Sequence, residues 1–234
     1  MIKLISIFFI GAGLWACSSV TTISVNPSTD KLNDTYESNA HIDELIQPYK
    51  DSLSVEMNVV IAEATSDFVV QRPGSNLGNW VTDAVFANQT RTVRLSDPVF
   101  VLLNTGGLRA SLNKGPITTG DIFKLMPFDN ELVWVKLPMS VLAEIQAYLV
   151  KSGGEPISNA RVEKGVLKLN GGKEESTHFW VITSDYLKNG GDKMTFFSKA
   201  EDVMITGKVM RDCLIEEAKA QGVLIEDTVK RINF

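Results

Sequence analysis

The chain has 234 residues, of which 44% are hydrophobic and 22% charged, and its formal net charge is -5 at neutral pH. These values are ordinary for a globular protein, and the length suffices for one large domain with short appendages. Binding to a nucleic-acid backbone requires a concentrated surface of Lys and Arg, and no long basic run occurs. We therefore expect no nucleic acid among the partners.

The first 16 residues are typical of a secretory signal. Lys3 precedes an apolar run, Leu4 to Ala16, that is too short to cross a bilayer as a stop-transfer helix. The run ends in LWAC, which resembles the lipobox of bacterial lipoproteins. This resemblance implies cleavage after residue 16 and lipidation of Cys17, and Ser18 at the next position resembles the signal for sorting to the outer membrane, facing the periplasm. The alternative is a signal that is uncleaved or cleaved without lipidation.

Residues 17–37 are predicted to be a flexible tether, because they are rich in Ser, Thr, Asn and Asp and show no period. No internal repeat follows, so residues 38–234 are predicted to form a single domain. The other cysteine, Cys213, lies at helical spacing from Met210 and Leu214. We interpret it as a buried packing residue rather than a reactive thiol or half of a disulfide.

Helices and strands are predicted to alternate in the first half of the domain. Helical spacing of apolar residues begins at Ile42, and β-branched residues then indicate strands in VEMNVVIAEA and DFVVQR. A clear amphipathic helix follows in NLGNWVTDAVFANQT. DPVFVLLN is typical of a buried strand, and TTGDIFKLM of a short helix with Thr118 or Thr119 as its N-cap.

The second half continues this alternation. Strands are predicted in ELVWVKL, GVLKLNGG and HFWVITSDYL, a helix is predicted with Pro138 in its first turn, and a last helix is predicted to end at Gly222. The strands and helices do not follow a strict βαβ rhythm. The pattern therefore favours a mixed α/β (α+β) domain, with a mixed sheet and packed helices, over an all-β sandwich.

Four segments carry a resemblance to a known family: SNLGNWVTDAV, LLNTGGLRASL, LMPFDNEL and DYLKNGGDKMTFF. In order and spacing they resemble the C-terminal domain of 5′-nucleotidases and UDP-sugar hydrolases, over essentially all of residues 38–234. The resemblance implies the fold of that domain. In two-domain members of the family, this domain holds the nucleoside and a separate N-terminal domain is a dimetal phosphoesterase.

The resemblance also implies a substrate-binding site. Phe128 and Tyr186 match two aromatic rings that enclose the base, and Asp192 matches an aspartate that binds the ribose hydroxyls. Asn104 and Arg109 match polar residues that hold the base and the nucleotide. The full set of candidate substrate-binding residues is Asn104, Arg109, Phe128, Tyr186, Asp192, Gly106, Gly107, Gly190, Gly191 and Arg72.

This sequence departs from the family pattern at two places. Arg72 lies one position from the first arginine of the family, where Pro73 stands here. After NGGD the family has glycine and an aromatic residue, whereas this chain has Lys193 and Met194.

The residue types suit a nucleoside on physical grounds as well. Two rings about 7 Å apart can hold a planar base, and each stack contributes ~1–3 kcal/mol. A carboxylate accepts hydrogen bonds from two neighbouring hydroxyls, and glycine pairs let a ligand approach the backbone. Taken singly, each residue also fits an ordinary role: Phe128 and Tyr186 as core aromatics, Asn104 and Asp192 as turn caps, and Arg109 as a surface ion pair.

The histidine content bears on catalysis. Dimetal phosphoesterase chemistry requires several His and Asp ligands, and the chain has two histidines, His41 and His178, far apart and outside any metal-binding motif. The nucleophile motif GxSxG is also missing from the sequence. We therefore predict no catalytic residue, no metal ligand and no cofactor in this chain. A separately encoded metallophosphoesterase with two divalent metal ions would supply the chemistry, helped by tethering to the same membrane.

Three functions remain open at this point. The first is the nucleoside- or nucleotide-recognising domain of a 5′-nucleotidase-type hydrolase in nucleotide catabolism. The second is a stand-alone nucleoside- or nucleotide-binding lipoprotein, and the third is a paralogue that has kept only an interaction role. The preferred base is not predicted, because aromatic stacking accepts any base.

Overall fold

The computed structural model describes residues 39–93, 95–171 and 175–234. The predicted signal (residues 1–16), Cys17 and the predicted tether (17–37) lie outside these ranges. By its internal contacts the chain divides into two units, Met1–Leu45 and Ile46–Phe234. In the first unit, the Asn39 side chain accepts hydrogen bonds from the backbone N–H of His41 at 3.1 Å and of Ile42 at 3.3 Å, and so caps a helix start.

The helices and strands follow one another in a mixed order, as predicted. The helices are α1 (Ala40–Met57), α2 (Asn76–Thr90), α3 (Thr119–Leu125), α4 (Leu142–Ser152), α5 (Asp185–Lys188) and α6 (Met210–Gln221). The strands are β1 (Val60–Ala64), β2 (Val99–Leu102), β3 (Gly115–Thr118), β4 (Glu131–Pro138), β5 (Ile157–Ser158), β6 (Ala160–Glu163), β7 (Val166–Leu169), β8 (His178–Ser184), β9 (Asp202–Val209), β10 (Val223–Leu224) and β11 (Ile232–Asn233).

The central sheet is mixed and has five strands, in the order β5-β2-β8-β4-β9. Strands β2 and β8 are parallel, whereas the β5–β2, β8–β4 and β4–β9 pairs are antiparallel. Two three-stranded sheets, β10-β1-β3 and β11-β6-β7, accompany it. This architecture confirms the predicted mixed α/β fold.

The central sheet is buried on both faces. Along β4, Leu132 and Trp134 pack into one core with residues of α2 and α6, and Val133 and Val135 pack into a second core with residues of α4, β6 and β7. Successive side chains of a strand point to opposite faces, so a strand covered on both sides needs a continuous apolar run. The run LVWV in β4 has this composition.

Several helix ends follow the predicted chemistry. Thr118 caps α3 through a capping box with Asp121, and Gly222, at φ 65°, ends α6. Helix α2 has the predicted span and is capped by Ser75, whose Oγ accepts a hydrogen bond from Gly78 N–H at 3.0 Å. The buried Cys213 packs in the first core, and burial raises the pKa of its thiol to about 12, as expected for a packing residue.

Several element predictions are wrong, among them HFWVITSDYL, whose last three residues, Asp185 to Leu187, lie in α5 and not in β8. The stretch DFVVQR forms no strand, because Phe68 makes only an isolated bridge to Leu112 before the chain turns into α2. Residues 55–57 close α1, so β1 begins only at Val60. Pro138 is the last residue of β4, and a 3₁₀ turn separates it from α4.

Strands β3, β5, β6, β9, β10 and β11 were not predicted, and the longest of them is β9. Its side chains alternate only partly between exposed and half-buried, and Gly207 interrupts the pattern, so the local sequence carries little strand signal. Strand β9 forms because it pairs with β4, since its own sequence favours a strand only weakly.

Within the described ranges, no helix combines the length and the hydrophobicity that crossing a membrane takes.

Candidate functional site

Three of the four motif segments meet at one edge of the central sheet. The parallel strands β2 and β8 both end there, and their continuations carry Asn104 and Tyr186. Strand β4 is antiparallel to β8, with Leu132 opposite Ser184, so β4 begins at this same edge, and the loop that carries Phe128 leads into it. Loops at the carboxyl ends of parallel strands are a common place for a ligand site.

A cavity of about 350 Å³, here called the aromatic cavity, opens between these loops. Its volume lies within the usual range for small-molecule sites. Seven of the ten predicted substrate-binding residues line it, together with Asn130, which was not predicted. The lining residues are Asn104, Gly106, Gly107, Arg109, Phe128, Asn130, Tyr186 and Asp192.

The two predicted stacking rings are exposed rather than sunk in the core. Phe128 is 41% exposed and Tyr186 is 47% exposed, and both border the aromatic cavity. Neither ring stacks on another aromatic ring in the described part of the chain. The alternative reading of these residues as core aromatics is therefore excluded, and both side chains are accessible at the border of the cavity.

The Asp192 carboxylate joins two of the loops, the one that follows β2 and the one that follows β8. Its Oδ2 accepts a hydrogen bond from Asn104 Nδ2 at 2.7 Å, and its Oδ1 accepts one from the Tyr186 hydroxyl at 2.9 Å. Each carboxylate oxygen has a second lone pair, so both can accept a further hydrogen bond from a ligand hydroxyl.

The backbone at Asp192 is strained. Asp192 (φ 49°) and Lys193 (φ 65°) are both left-handed, a conformation that costs a residue other than glycine ~1–2 kcal/mol. The Tyr148 hydroxyl donates to the Asp192 carbonyl at 3.0 Å and helps to hold this turn. Burial, followed by the negative charges of Glu155 and Asp192, raises the pKa of Tyr148 to about 12, so the hydroxyl keeps its proton at neutral pH.

The glycines of the motifs allow close contacts around the site. A Cβ on Gly107 would lie 2.8 Å from Asn104 Oδ1, and a Cβ on Gly191 would lie 2.5 Å from the Tyr186 ring. At Gly106 the nearest atoms, from Asn104 and Asp192, would be 3.6 and 3.7 Å away. Gly190 lines no part of the aromatic cavity, and at φ 91° it turns the backbone ahead of Asp192.

Arg211, in α6, supports the loop that carries Phe128. Its guanidinium donates to the Phe128 carbonyl at 3.4 Å, pairs with Asp129 at 2.5 Å and stacks over the Phe123 ring at 4.2 Å. Sequence reasoning missed this residue, because it lies in a distant helix and no local motif marks it.

Asp185 connects the two ring-bearing loops. Its Oδ1 accepts from the backbone N–H of Tyr186 at 2.8 Å and of Glu131 at 3.1 Å. The signal in the sequence was its position inside the DYLKNGGD motif, where Tyr186, Gly190, Gly191 and Asp192 were singled out but Asp185 was not.

The two candidate arginines lie in different places. Arg109 lines the aromatic cavity, and its guanidinium donates to the Gly106 carbonyl at 3.4 Å. Arg72 lies outside that cavity, with its side chain bonded to the Gly154 carbonyl at 3.0 Å and to Glu155 at 2.5 Å. The structure thus brings Arg109, but not Arg72, together with the two rings.

Two other features lie away from the aromatic cavity. A larger cavity, about 680 Å³, is bordered by Asn79, Arg231 and Phe234 and contains none of the predicted site residues. His178 pairs at the surface with Glu201 at 2.8 Å. Across residues 39–93, 95–171 and 175–234, no group of three or more His, Cys, Asp or Glu is arranged to hold a metal ion.

Comparison with known proteins shows which domains this chain is similar to. Residues 59–145 match the family described as 5′-nucleotidase, C-terminal domain. A 5′-nucleotidase precursor from Thermus thermophilus has a similar structure, with a TM-score of 0.65 and 25% identity over 82% of this chain and 42% of that chain. The NAD nucleotidase of Haemophilus influenzae gives a TM-score of 0.59 and 16% identity over 83% of this chain and 41% of that chain.

A curated protein has a similar sequence. The trifunctional nucleotide phosphoesterase protein YfkN of Bacillus subtilis (strain 168) is 26% identical over 183 residues, which cover 69% of this chain and 12% of that protein. The chain therefore has the fold of the C-terminal domain of 5′-nucleotidase-type proteins, and it spans less than half of each of these three proteins.

Proposed function

We propose that this chain is the nucleoside- or nucleotide-recognising domain of a 5′-nucleotidase-type hydrolase that acts in nucleotide catabolism. The observation that carries the proposal is the aromatic cavity, in which two exposed rings from separate loops and a carboxylate from the loop of Tyr186 border one space. The base would stack between Phe128 and Tyr186, with Asn104 and Arg109 at its polar edge. The ribose hydroxyls would donate to Asp192.

The energetics suit this arrangement. A base between two rings gains ~1–3 kcal/mol from each stack, and a charged acceptor such as Asp192 strengthens each hydrogen bond that it receives. Asn104 and Tyr186 already hold the Asp192 carboxylate in place, so little side-chain entropy is lost when a sugar binds.

The chemical step is proposed to come from a separately encoded metallophosphoesterase carrying two divalent metal ions. The two histidines of this chain are too few for such a centre, and neither borders the aromatic cavity. We further propose that Cys17 is lipidated and that the chain faces the periplasm from the outer membrane. The LWAC motif supports this, and shared tethering would raise the local concentration of the two proteins.

Titration calorimetry with adenosine, AMP and uridine tests the recognition step. The purified chain should bind at least one of them, and Phe128→Ala should weaken binding by roughly 5- to 150-fold, the equivalent of one lost stack. Tyr49→Ala removes an exposed ring from α1, outside the aromatic cavity, and serves as the matched control. Equal losses in the two variants would count against the proposed base site.

A pull-down of the full chain from bacterial membranes tests the partnership. The eluate should hydrolyse AMP in a metal-dependent way, whereas the purified chain alone should not. Robust metal-dependent phosphatase activity of the purified chain would contradict the proposal. Cys17→Ala should shift the protein from the membrane to the soluble fraction, and a variant that stays on the membrane would refute the lipid anchor.

A stand-alone nucleoside-binding lipoprotein is the second candidate, and one observation favours it. Residues of this chain alone supply both rings, the carboxylate and the guanidinium of the aromatic cavity. Micromolar binding by the purified chain, combined with a membrane eluate that does not hydrolyse AMP, would select this function. If no nucleoside or nucleotide binds, the third function is left, that of a paralogue that has kept only an interaction role.

A further inference from the structure

The loop that presents the Phe128 ring is held by the first turn of α6. The Arg211 guanidinium donates to the Phe128 carbonyl at 3.4 Å and pairs with the Asp129 carboxylate at 2.5 Å. The backbone N–H of Met210 donates to the Asn130 carbonyl at 2.9 Å. Three consecutive residues of this loop are therefore bonded to α6, although the Phe128 ring itself is exposed.

Arg211 is an unusual residue for a packing position. Its side chain is only 12% exposed, and its Nε is buried without a hydrogen-bond partner in the part of the chain that the structure describes. A buried donor without an acceptor lowers stability, and an apolar side chain of similar size would avoid that cost. The arginine adds its contacts with the Phe128 loop and its stacking over the Phe123 ring. The position of the loop therefore explains this residue better than the stability of α6 does.

A single oxygen atom connects the Phe128 loop to the loop that carries the second ring. Asp185 Oδ1 accepts a hydrogen bond from the Tyr186 N–H at 2.8 Å and another from the Glu131 N–H at 3.1 Å. Because both bonds end on one atom, the two loops cannot separate without breaking one of them. A carboxylate also forms stronger hydrogen bonds than a neutral acceptor does. With Arg211 bound near its middle, the Phe128 loop is thus held from two sides.

We propose that Asp185 and Arg211 are positioning residues that fix the gap between the two rings of the aromatic cavity before a ligand enters. The inference rests on the proposed function and adds to it two residues that determine affinity without lining that cavity. A contact that widens by about 0.5–1 Å loses a quarter to a half of its dispersion attraction, so both stacks depend on a constant gap. A gap that is set in advance also avoids the entropy of ordering a loop during binding.

Calorimetry with adenosine, AMP and uridine tests the role of Asp185. Asp185→Ala removes the shared acceptor, so the affinity for each ligand that the wild type binds should fall by roughly fivefold or more, towards the loss in Phe128→Ala. Asp185→Asn keeps an acceptor oxygen and should retain most of the affinity. Asp202→Ala is the matched control, because Asp202 Oδ1 accepts from the N–H of its neighbour Val203 at 2.8 Å and lines no part of the aromatic cavity.

A double-mutant cycle separates positioning from a general loss of stability. In the Phe128→Ala background, the stack that depends on the gap is already lost. Asp185→Ala should then lower the affinity by about twofold or less, because the two substitutions act on one interaction. A substitution that only destabilised the fold would lower the affinity by the same factor in both backgrounds.

Arg211→Met tests the second contact, and it remains decisive if Asp185→Ala does not fold. Methionine removes the donors to the loop but also the unsatisfied Nε, so the affinity should fall several-fold while the melting temperature changes little. This loss should likewise shrink in the Phe128→Ala background. Arg161→Met is the matched control, because Arg161 pairs with Glu163 at 2.5 Å in β6, away from the aromatic cavity.

The outcomes separate this inference from the proposed function. Wild-type affinity in a folded Asp185→Ala or Arg211→Met variant would refute the role of that residue, and so would an equal loss in both backgrounds. In either case the base site stands if Phe128→Ala still weakens binding. If the wild type binds none of the three ligands, the proposed function fails and the positioning role fails with it.

Discussion

At the scale of single residues, the site depends on side chains that hold one another in place. Asp192 receives hydrogen bonds from Asn104 and Tyr186, and Gly191 packs against the ring of Tyr186. A ligand would meet groups whose positions are already fixed. Substitutions here should therefore change binding more than they change stability.

Replacing Asp192 by Asn tests the proposed contact with the ribose. The amide keeps the shape of the side chain but removes the charge and one acceptor, so adenosine affinity should fall by about tenfold or more. 2′,3′-Dideoxyadenosine lacks the hydroxyls, and its affinity should be nearly the same in the wild type and the variant. An equal loss for both ligands in calorimetry would show that Asp192 does not bind the ribose.

Replacing Gly191 by Ala tests the packing that positions Tyr186. The new Cβ would lie 2.5 Å from the ring, so the ring must shift and nucleoside affinity should fall several-fold. Gly74→Ala is the matched control, because no atom lies within 4 Å of its Cβ position and its φ is not left-handed. The comparison uses calorimetry, with circular dichroism to check folding, and equal affinities in the two variants would refute the role of Gly191.

At the scale of elements, the short helix α3 depends on its capping box. The Thr118 side chain accepts from Asp121 N–H at 3.2 Å, and Asp121 Oδ2 accepts from Thr118 N–H at 2.9 Å. Thr118→Ala should lower the free energy of unfolding by about 1 kcal/mol in urea titrations. No measurable loss would mean that packing of Ile122 and Leu125 alone fixes the helix.

The same box makes stability depend on pH. Burial raises the pKa of Asp121, but the hydrogen bonds from Thr118 and the nearby Lys124 outweigh it and hold the pKa below the ordinary value of 3.8. A carboxyl whose pKa is lower in the folded state stabilises the fold above that ordinary value, and the contribution is lost as the pH falls through the folded pKa. Asp121→Asn should thus destabilise at pH 6, with a difference that shrinks towards pH 3; a difference independent of pH would contradict this.

At the scale of the whole molecule, the buried aromatic rings stabilise the fold, whereas the exposed rings are available to a ligand. Phe179 is fully buried and packs against Phe100, with 6.0 Å between ring centroids, whereas Phe128 is exposed. Phe179→Ala should cost about 3–5 kcal/mol of unfolding free energy, and Phe128→Ala should change thermal stability little. The effects on ligand affinity should be the reverse. Phe128→Ala should weaken ligand binding, and Phe179→Ala should leave it nearly unchanged if the variant is folded. A large drop in melting temperature for Phe128→Ala would show that this ring supports the fold.

The sequence by itself determined the local structure where periodicity and capping chemistry are strong. The amphipathic pattern of α2, the apolar runs of β4 and β8, the capping residue Thr118 and the terminal Gly222 were all readable, because these features depend on neighbours within a few residues. The same rules failed for DFVVQR and β9, where partners distant in the chain decide whether a strand forms. The motif segments also identified most of the residues around the aromatic cavity.

Only the tertiary structure decided which of these residues share a space. The pairing of β2 with β8 and of β8 with β4 brings three loops to one edge of the sheet, and that pairing depends on contacts between segments far apart in the chain. For the same reason the fold separates Arg72 from the two rings, adds Asn130 to them and places Arg211 behind the Phe128 loop. Distances between distant segments are set by packing of the whole core, which no local pattern encodes.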